Sequence, residues 1–152
     1  MSLKGKKVYH GSFKKIEKQI LPKKATIHKG FGEDKKSTTD KIAKVYASKN
    51  KNFAIAFTIN IPKRVVTMEK ITYLVINRKD VDKLKTGAYL YTLDSKDFKK
   101  NYRFINNEEL VAEKPVKILN REYIPNVYAY IMKNDNIKLG LVDDINNPYG
   151  IK

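Results

Sequence analysis

Apolar residues in this chain come in short runs set between lysine-rich polar stretches, and the runs differ in period. Lys6 to His10 reads as a first strand, which Gly11-Ser12 interrupts. Phe13 to Pro22 alternates weakly and predicts a short irregular extended segment ending at the proline. From Lys23 to Lys44 no period is sustained, which predicts a long loop. A loop of that length in a compact domain is usually functional or mobile, and this one is expected to be mobile without ligand. Val45-Tyr46-Ala47 predicts a strand, with Ser48 as N-cap of a helix whose apolar face carries Phe53, Ala54 and Phe57. Pro62 disfavours helical geometry just before it, so this helix is expected to end near Asn60.

Further along, Ile71 to Asn77 ("ITYLVIN") is the strongest core strand and Ala88 to Thr92 is another. Asp94 or Ser95 opens a short helical turn through Phe98. Glu109 to Ala112 and Val116 to Leu119 read as strands joined across Glu113-Lys114-Pro115. Arg121 to Met132 fits either a helix or a strand, with Pro125 in the way of both. Short strands without regular helix alternation predict one α+β domain over residues 1–152, mostly antiparallel, rather than a doubly wound parallel sheet.

Composition adds charge to this picture. The net charge is +16, which raises the expectation of a polyanion partner. It is concentrated early: residues 1–51 hold 15 Lys against four acids, a net of +11, and the remainder carries +5. Basic residues 1–51 are therefore the candidate polyanion contact. The cations are 28 Lys and only four Arg, a balance that AT-rich codon usage would also produce, whereas readers of nucleic acid tend to use arginine. The absence of cysteine removes disulfides, thiol nucleophiles and cysteine-held metal centres. No apolar run reaches the roughly 18 residues that span a bilayer and no signal-peptide pattern opens the chain, so a cytoplasmic protein without membrane contact is expected. There is no P-loop and no GxGxxG fingerprint.

Three positions stand out chemically. His10 ends a strand, beside Gly11, whose missing side chain would let a ligand reach the backbone. Tyr46 ends a strand before a helix. Glu109 opens the strand "ELVA", although Glu108 would serve equally in a shifted register. Read singly, each has an ordinary structural explanation.

Read in order, "YHGS", "VYAS" and "NEELVA" resemble the His-Tyr-Glu branch of the ADP-ribosyltransferase fold family, typified by diphtheria toxin and the poly(ADP-ribose) polymerases. The resemblance spans residues 6–119, with 36 residues from His10 to Tyr46 and 63 from Tyr46 to Glu109. It implies split, mostly antiparallel sheets with the main helix after the Tyr46 strand, and NAD as the substrate with no metal. His10 would bind the adenine-side ribose, Gly11 the nicotinamide carboxamide through its backbone, and Ser12 would lie close to the ribose. Tyr46 would stack on the nicotinamide ring, and Phe57 falls where the family often has a second stacking aromatic. Glu109 would contact the 2′-hydroxyl of the nicotinamide ribose as the catalytic residue.

These residue types suit the chemistry. Loss of nicotinamide builds positive charge on the ribose, as in glycoside hydrolysis, so a fixed carboxylate stabilises the transition state more than the ground state. At about 4 Å and an effective dielectric near 20 the attraction is about 4 kcal/mol, roughly a thousandfold in rate.

The chain also departs from the family pattern. Lys44 precedes "VY" where the polymerases have "GIYF", Ala54 replaces a serine that often binds nicotinamide, and Asn107 removes the Glu-x-Glu of arginine-specific transferases. The expectation is mono-ADP-ribosylation of a protein side chain, a nucleic acid or a small molecule. The alternatives are NAD hydrolysis, RNA 2′-phosphate transfer, and a non-catalytic nucleic-acid-binding module on the same fold.

Overall fold

The computed structural model describes residues 6–23, 26–29, 36–39, 43–100 and 109–146. In chain order the elements are β1 (Lys7–Ser12), β2 (Gln19–Ile20), β3 (Thr26–Lys29), β4 (Lys36–Thr39), β5 (Val45–Ala47), α1 (Lys51–Ala56), β6 (Lys63–Met68) and β7 (Ile71–Asn77). A 3-10 segment (Arg78–Leu84), β8 (Ala88–Asp94), a 3-10 turn (Ser95–Asp97), β9 (Lys99–Lys100), β10 (Leu110–Ala112), β11 (Val116–Ile124), α2 (Val127–Lys133) and β12 (Ile137–Val142) follow. The fold is α+β with mostly antiparallel pairing, as the short apolar runs predict.

β8 is paired along both edges and buried on both faces. It is central in the sheet β1-β8-β11-β2, while β5-β10-β9 and β12-β7-β6 form two three-stranded sheets. Side chains alternate along a strand, so β8 serves two cores. Ala88 and Leu90 join Ile55, Leu74, Ile76, Ile131 and Ile137, beneath the two helices. Tyr91 and Leu93 join Val8, Val45, Phe98, Leu110 and Val116, which include the inward positions of β5 and β10.

Several local expectations are corrected. Gly11-Ser12 does not interrupt β1, which pairs with β8 from Lys7↔Asp94 through Ser12↔Tyr89. Asn50, not Ser48, caps α1: its side chain accepts from the N–H groups of Asn52 (3.0 Å) and Phe53 (3.3 Å). Ser48 instead accepts from the N–H of Asn50 at 2.9 Å. The helix ends at Ala56 rather than near Asn60, because Phe57 N–H bonds Ala54 O and the Thr58 hydroxyl bonds Ile55 O at 2.8 Å, tightening the last turn. The strand read as Val116–Leu119 runs on to Ile124, and Pro125 separates it from α2, capped by Asn126 at 3.0 Å from Ala129 N–H. Arg121 to Met132 is thus strand and then helix.

The stretch Lys23–Lys44 is more ordered in topology than a loop. Lys23 and Lys44 exchange two backbone hydrogen bonds of 2.9 Å, and β3 and β4 pair antiparallel between them. Residues 24–25, 30–35 and 40–42, part of the stretch on which mobility is expected, lie outside the described residues. Strands β6 and β12 were not anticipated. β6 meets β7 through a two-residue connection, Glu69 and Lys70, both at positive φ (49° and 70°). Two-residue hairpins need that conformation and usually fill it with Asn-Gly. β12 pairs with β7 in parallel, Ile137↔Thr72 to Val142↔Asn77.

Candidate functional site

The strands that carry His10 and Tyr46, and the strand that Glu109 immediately precedes, are neighbours. Tyr9 and Ser48 exchange backbone hydrogen bonds of 2.7 and 2.9 Å, which joins β1 to the end of β5. β5 in turn pairs with β10, Leu110↔Ala47 and Val111↔Tyr46. His10, Tyr46 and Glu109 therefore lie where the first sheet passes into the second.

His10 is held directly. Its Nδ1 lies 2.5 Å from the carbonyl oxygen of Tyr46. A carbonyl only accepts, so Nδ1 carries the proton and the neutral ring keeps Nε2 as an acceptor. Burial pushes the His10 pKa down; the Tyr46 carbonyl opposes this and Lys23 adds to it. The ring lies 6.3 Å from that of Tyr91, its cross-strand partner.

Tyr91 was not singled out from the sequence, yet it organises the segment after β1. Its buried hydroxyl donates to Lys14 O at 2.7 Å and accepts from Ile16 N–H at 2.6 Å. Its place in "AYLYT", two residues from Tyr89 and Leu93, marks it for one face of a strand, and only the register shows that His10 shares that face.

The other predicted residues divide. Glu109 is 3 % exposed, immediately before β10. Glu108 lies outside the described residues. Tyr46 is half-buried, alternating with the buried Val45 and Ala47. The Ser12 hydroxyl accepts from Lys14 N–H at 3.1 Å and closes the turn after β1. Gly11 has a structural reason to lack a side chain: a Cβ there would run into the carbonyl of Ala54 and lie 2.7 Å from Thr58 Cγ2. The absent side chain makes room for α1, on the face of β1 opposite to His10. Phe57 packs against the helix-side core, its ring 5.0 Å from Phe53 and 5.2 Å from the Lys63 ammonium. Those contacts belong to α1 and β6 rather than to the β1-β5-β10 crossing.

Lys63 is a second residue that pattern reading missed. Its ammonium donates to Ile59 O (3.0 Å) and Ile61 O (3.2 Å), and burial lowers its pKa to about 8.

Two surface clefts lie elsewhere. One, of about 590 Å³, is formed by residues 49–52 with Thr67, Glu69, Lys70 and Asn136. The other, of about 370 Å³, is lined by Pro62, Asn77, Lys79, Asp80 and Lys83. His10, Tyr46 and Glu109 line neither. Among the described residues no group of three or more His, Cys, Asp or Glu side chains is placed to hold a metal ion, and no helix is long and apolar enough to cross a membrane. Comparison with protein-family models, with curated proteins and with solved structures gives no match.

Proposed function

We propose that the protein transfers ADP-ribose from NAD to an acceptor and releases nicotinamide, on a fold of the His-Tyr-Glu ADP-ribosyltransferase kind. One observation supports the reading: β1, β5 and β10 are successive neighbours, so backbone positions 99 apart in the chain lie on adjoining segments. The His10–Tyr46 hydrogen bond supports it, because it leaves Nε2 able to accept from a ribose hydroxyl. Tyr46 offers its ring to the nicotinamide, whose cationic character favours an aromatic face. The bond between ribose C1′ and the nicotinamide nitrogen breaks, and its electron pair leaves with the nicotinamide. The Glu109 carboxylate stabilises the positive charge left on the ribose. The acceptor's nucleophile then attacks C1′ and gives its proton to solvent. The acceptor is a protein side chain, a nucleic acid or a small molecule.

The test is incubation with NAD labelled in the adenylate, following nicotinamide release and label transfer to a cell lysate. Wild type is expected to release nicotinamide and Glu109→Gln to do so at least about a hundredfold more slowly. Equal rates in the two would remove Glu109 from the reaction, and free ADP-ribose as the sole product would make the protein a hydrolase.

A further inference from the structure

The face of the first sheet that carries His10 also carries a cluster of aromatic residues that the proposed transfer does not use. Ser12 on β1, Tyr89 on β8 and Tyr123 on β11 form one cross-strand row. The rings of Tyr89 and Tyr123 are 5.1 Å apart, and Tyr91 stacks on Tyr89 at 6.3 Å with an interplanar angle of 27°. The Arg121 guanidinium lies 5.9 Å over the Tyr89 ring. It is tethered there by Ile16 O and Glu17, each at 3.3 Å. Gly87 leaves the space that the Tyr123 ring fills: a Cβ at Gly87 would lie 2.8 Å from Tyr123 Cζ. Tyr123 is nevertheless 56 % exposed, and Phe13, next to Ser12, is 52 % exposed.

Tyr123 on β11 and Phe13 just after β1 leave aromatic surface open to solvent, and such surface suits a flat π-faced ligand. The segment that frames them, residues 14–18, contributes Lys14, Lys15 and Lys18 against Glu17 alone, in a chain of net charge +16. Aromatic rings and an arginine plane on a strand face, bordered by lysines, are the combination that holds unpaired bases and their phosphates.

We propose that Tyr89, Tyr123 and Arg121 form a stacking platform for the bases of single-stranded nucleic acid, with Lys14, Lys15 and Lys18 meeting its phosphates. Stacking is indifferent to the sugar, so ribo- and deoxyribo-oligonucleotides bind alike, and a duplex, whose bases are already stacked, binds less well. The platform is independent of NAD turnover.

Fluorescence anisotropy tests it, with labelled oligo-U and oligo-dT of about twelve nucleotides, enough to cover a site of this size. Wild type binds both, more weakly as salt is added. Tyr123→Ala, at an exposed position, raises Kd at least about tenfold, and Tyr123→Phe keeps it within about twofold of wild type. The proposal is overturned if wild type binds neither oligonucleotide at low salt or Tyr123→Ala binds as wild type does. Tyr123→Phe losing as much as Tyr123→Ala would overturn it too, by making the contact a hydroxyl one. A thermal shift with NAD that disappears in Tyr123→Ala while oligonucleotide binding persists would give the rings to the dinucleotide instead.

Discussion

The imidazole Nδ1 of His10 donates to the carbonyl oxygen of Tyr46 across 2.5 Å, linking a side chain of the first sheet to the backbone of the second. The bond sets the tautomer, and burial keeps the ring neutral by lowering its pKa below 6.5. The folded state then binds fewer protons at His10 than the unfolded state does as pH falls below about 6.5. Stability present above that pH is lost as pH drops toward the folded pKa. Urea denaturation at pH 7.5 and at pH 5 is expected to show lower stability at the acid end. His10→Asn, which keeps a donor for Tyr46 but does not titrate, is expected to lose the part of that difference due to His10. An unchanged pH dependence in the variant would show that His10 does not contribute to it.

Gly11 separates packing from binding. A Cβ there meets the Ala54 carbonyl of α1 and Thr58 Cγ2, so Gly11→Ala is expected to destabilise the protein by about 1–3 kcal/mol, the usual cost of overpacking. Urea titration without ligand measures it. Weaker NAD binding at undiminished stability would instead show that the glycine serves only the ligand.

The Lys63 ammonium has two carbonyl partners, and burial lowers its pKa to about 8. Between about pH 8 and its ordinary value of 10.5 the unfolded chain holds a proton that the folded protein has released, so stability rises with pH across that window. Comparing wild type with Lys63→Met by denaturation from pH 7.5 to 10 should show a rise in the difference in favour of wild type. A difference independent of pH would place the lysine's pKa near its ordinary value.

Glu69 and Lys70 hold left-handed backbone without being glycine or asparagine. Each such residue carries a steric cost of about 1–2 kcal/mol. Replacing the pair by Asn-Gly, the residues this turn prefers, is expected to raise the thermal midpoint, with a gain on the order of 1 kcal/mol. A lower midpoint would mean that the two side chains stabilise the hairpin by more than their backbone strain costs.

How much of this could be read from the chain depended on whether the deciding contact was local. "ITYLVIN" announces itself because alternate residues are buried, "AYLYT" because it is apolar toward both faces, and β5 and β10 are short all-apolar runs. The order of His10, Tyr46 and Glu109 was readable, but that their strands adjoin depends on the Tyr9–Ser48 bridge, which no local pattern encodes. β6 begins with Lys63-Arg64 and β12 contains Gly140, so neither resembles a core strand until β7 lies beside it. Gly11-Ser12 looked like a break because glycine usually weakens a strand; here the missing side chain lets a helix sit on it. Between Ser48 and Asn50 as helix cap, both residue types qualify, and only the backbone direction at Asn50 decides.

The parallel pairing of β12 with β7 bears on how the chain reaches its fold. Until Ile137–Val142 has been synthesised, one edge of β7 has no partner, and a bare edge of that kind recruits other chains. The repulsion of a chain at +16 acts during that interval, keeping nascent copies apart. Lysines distant from any ligand thus have a task before folding is complete. A chain cut just before Ile137 is expected to aggregate more readily as salt screens that repulsion, which light scattering would register.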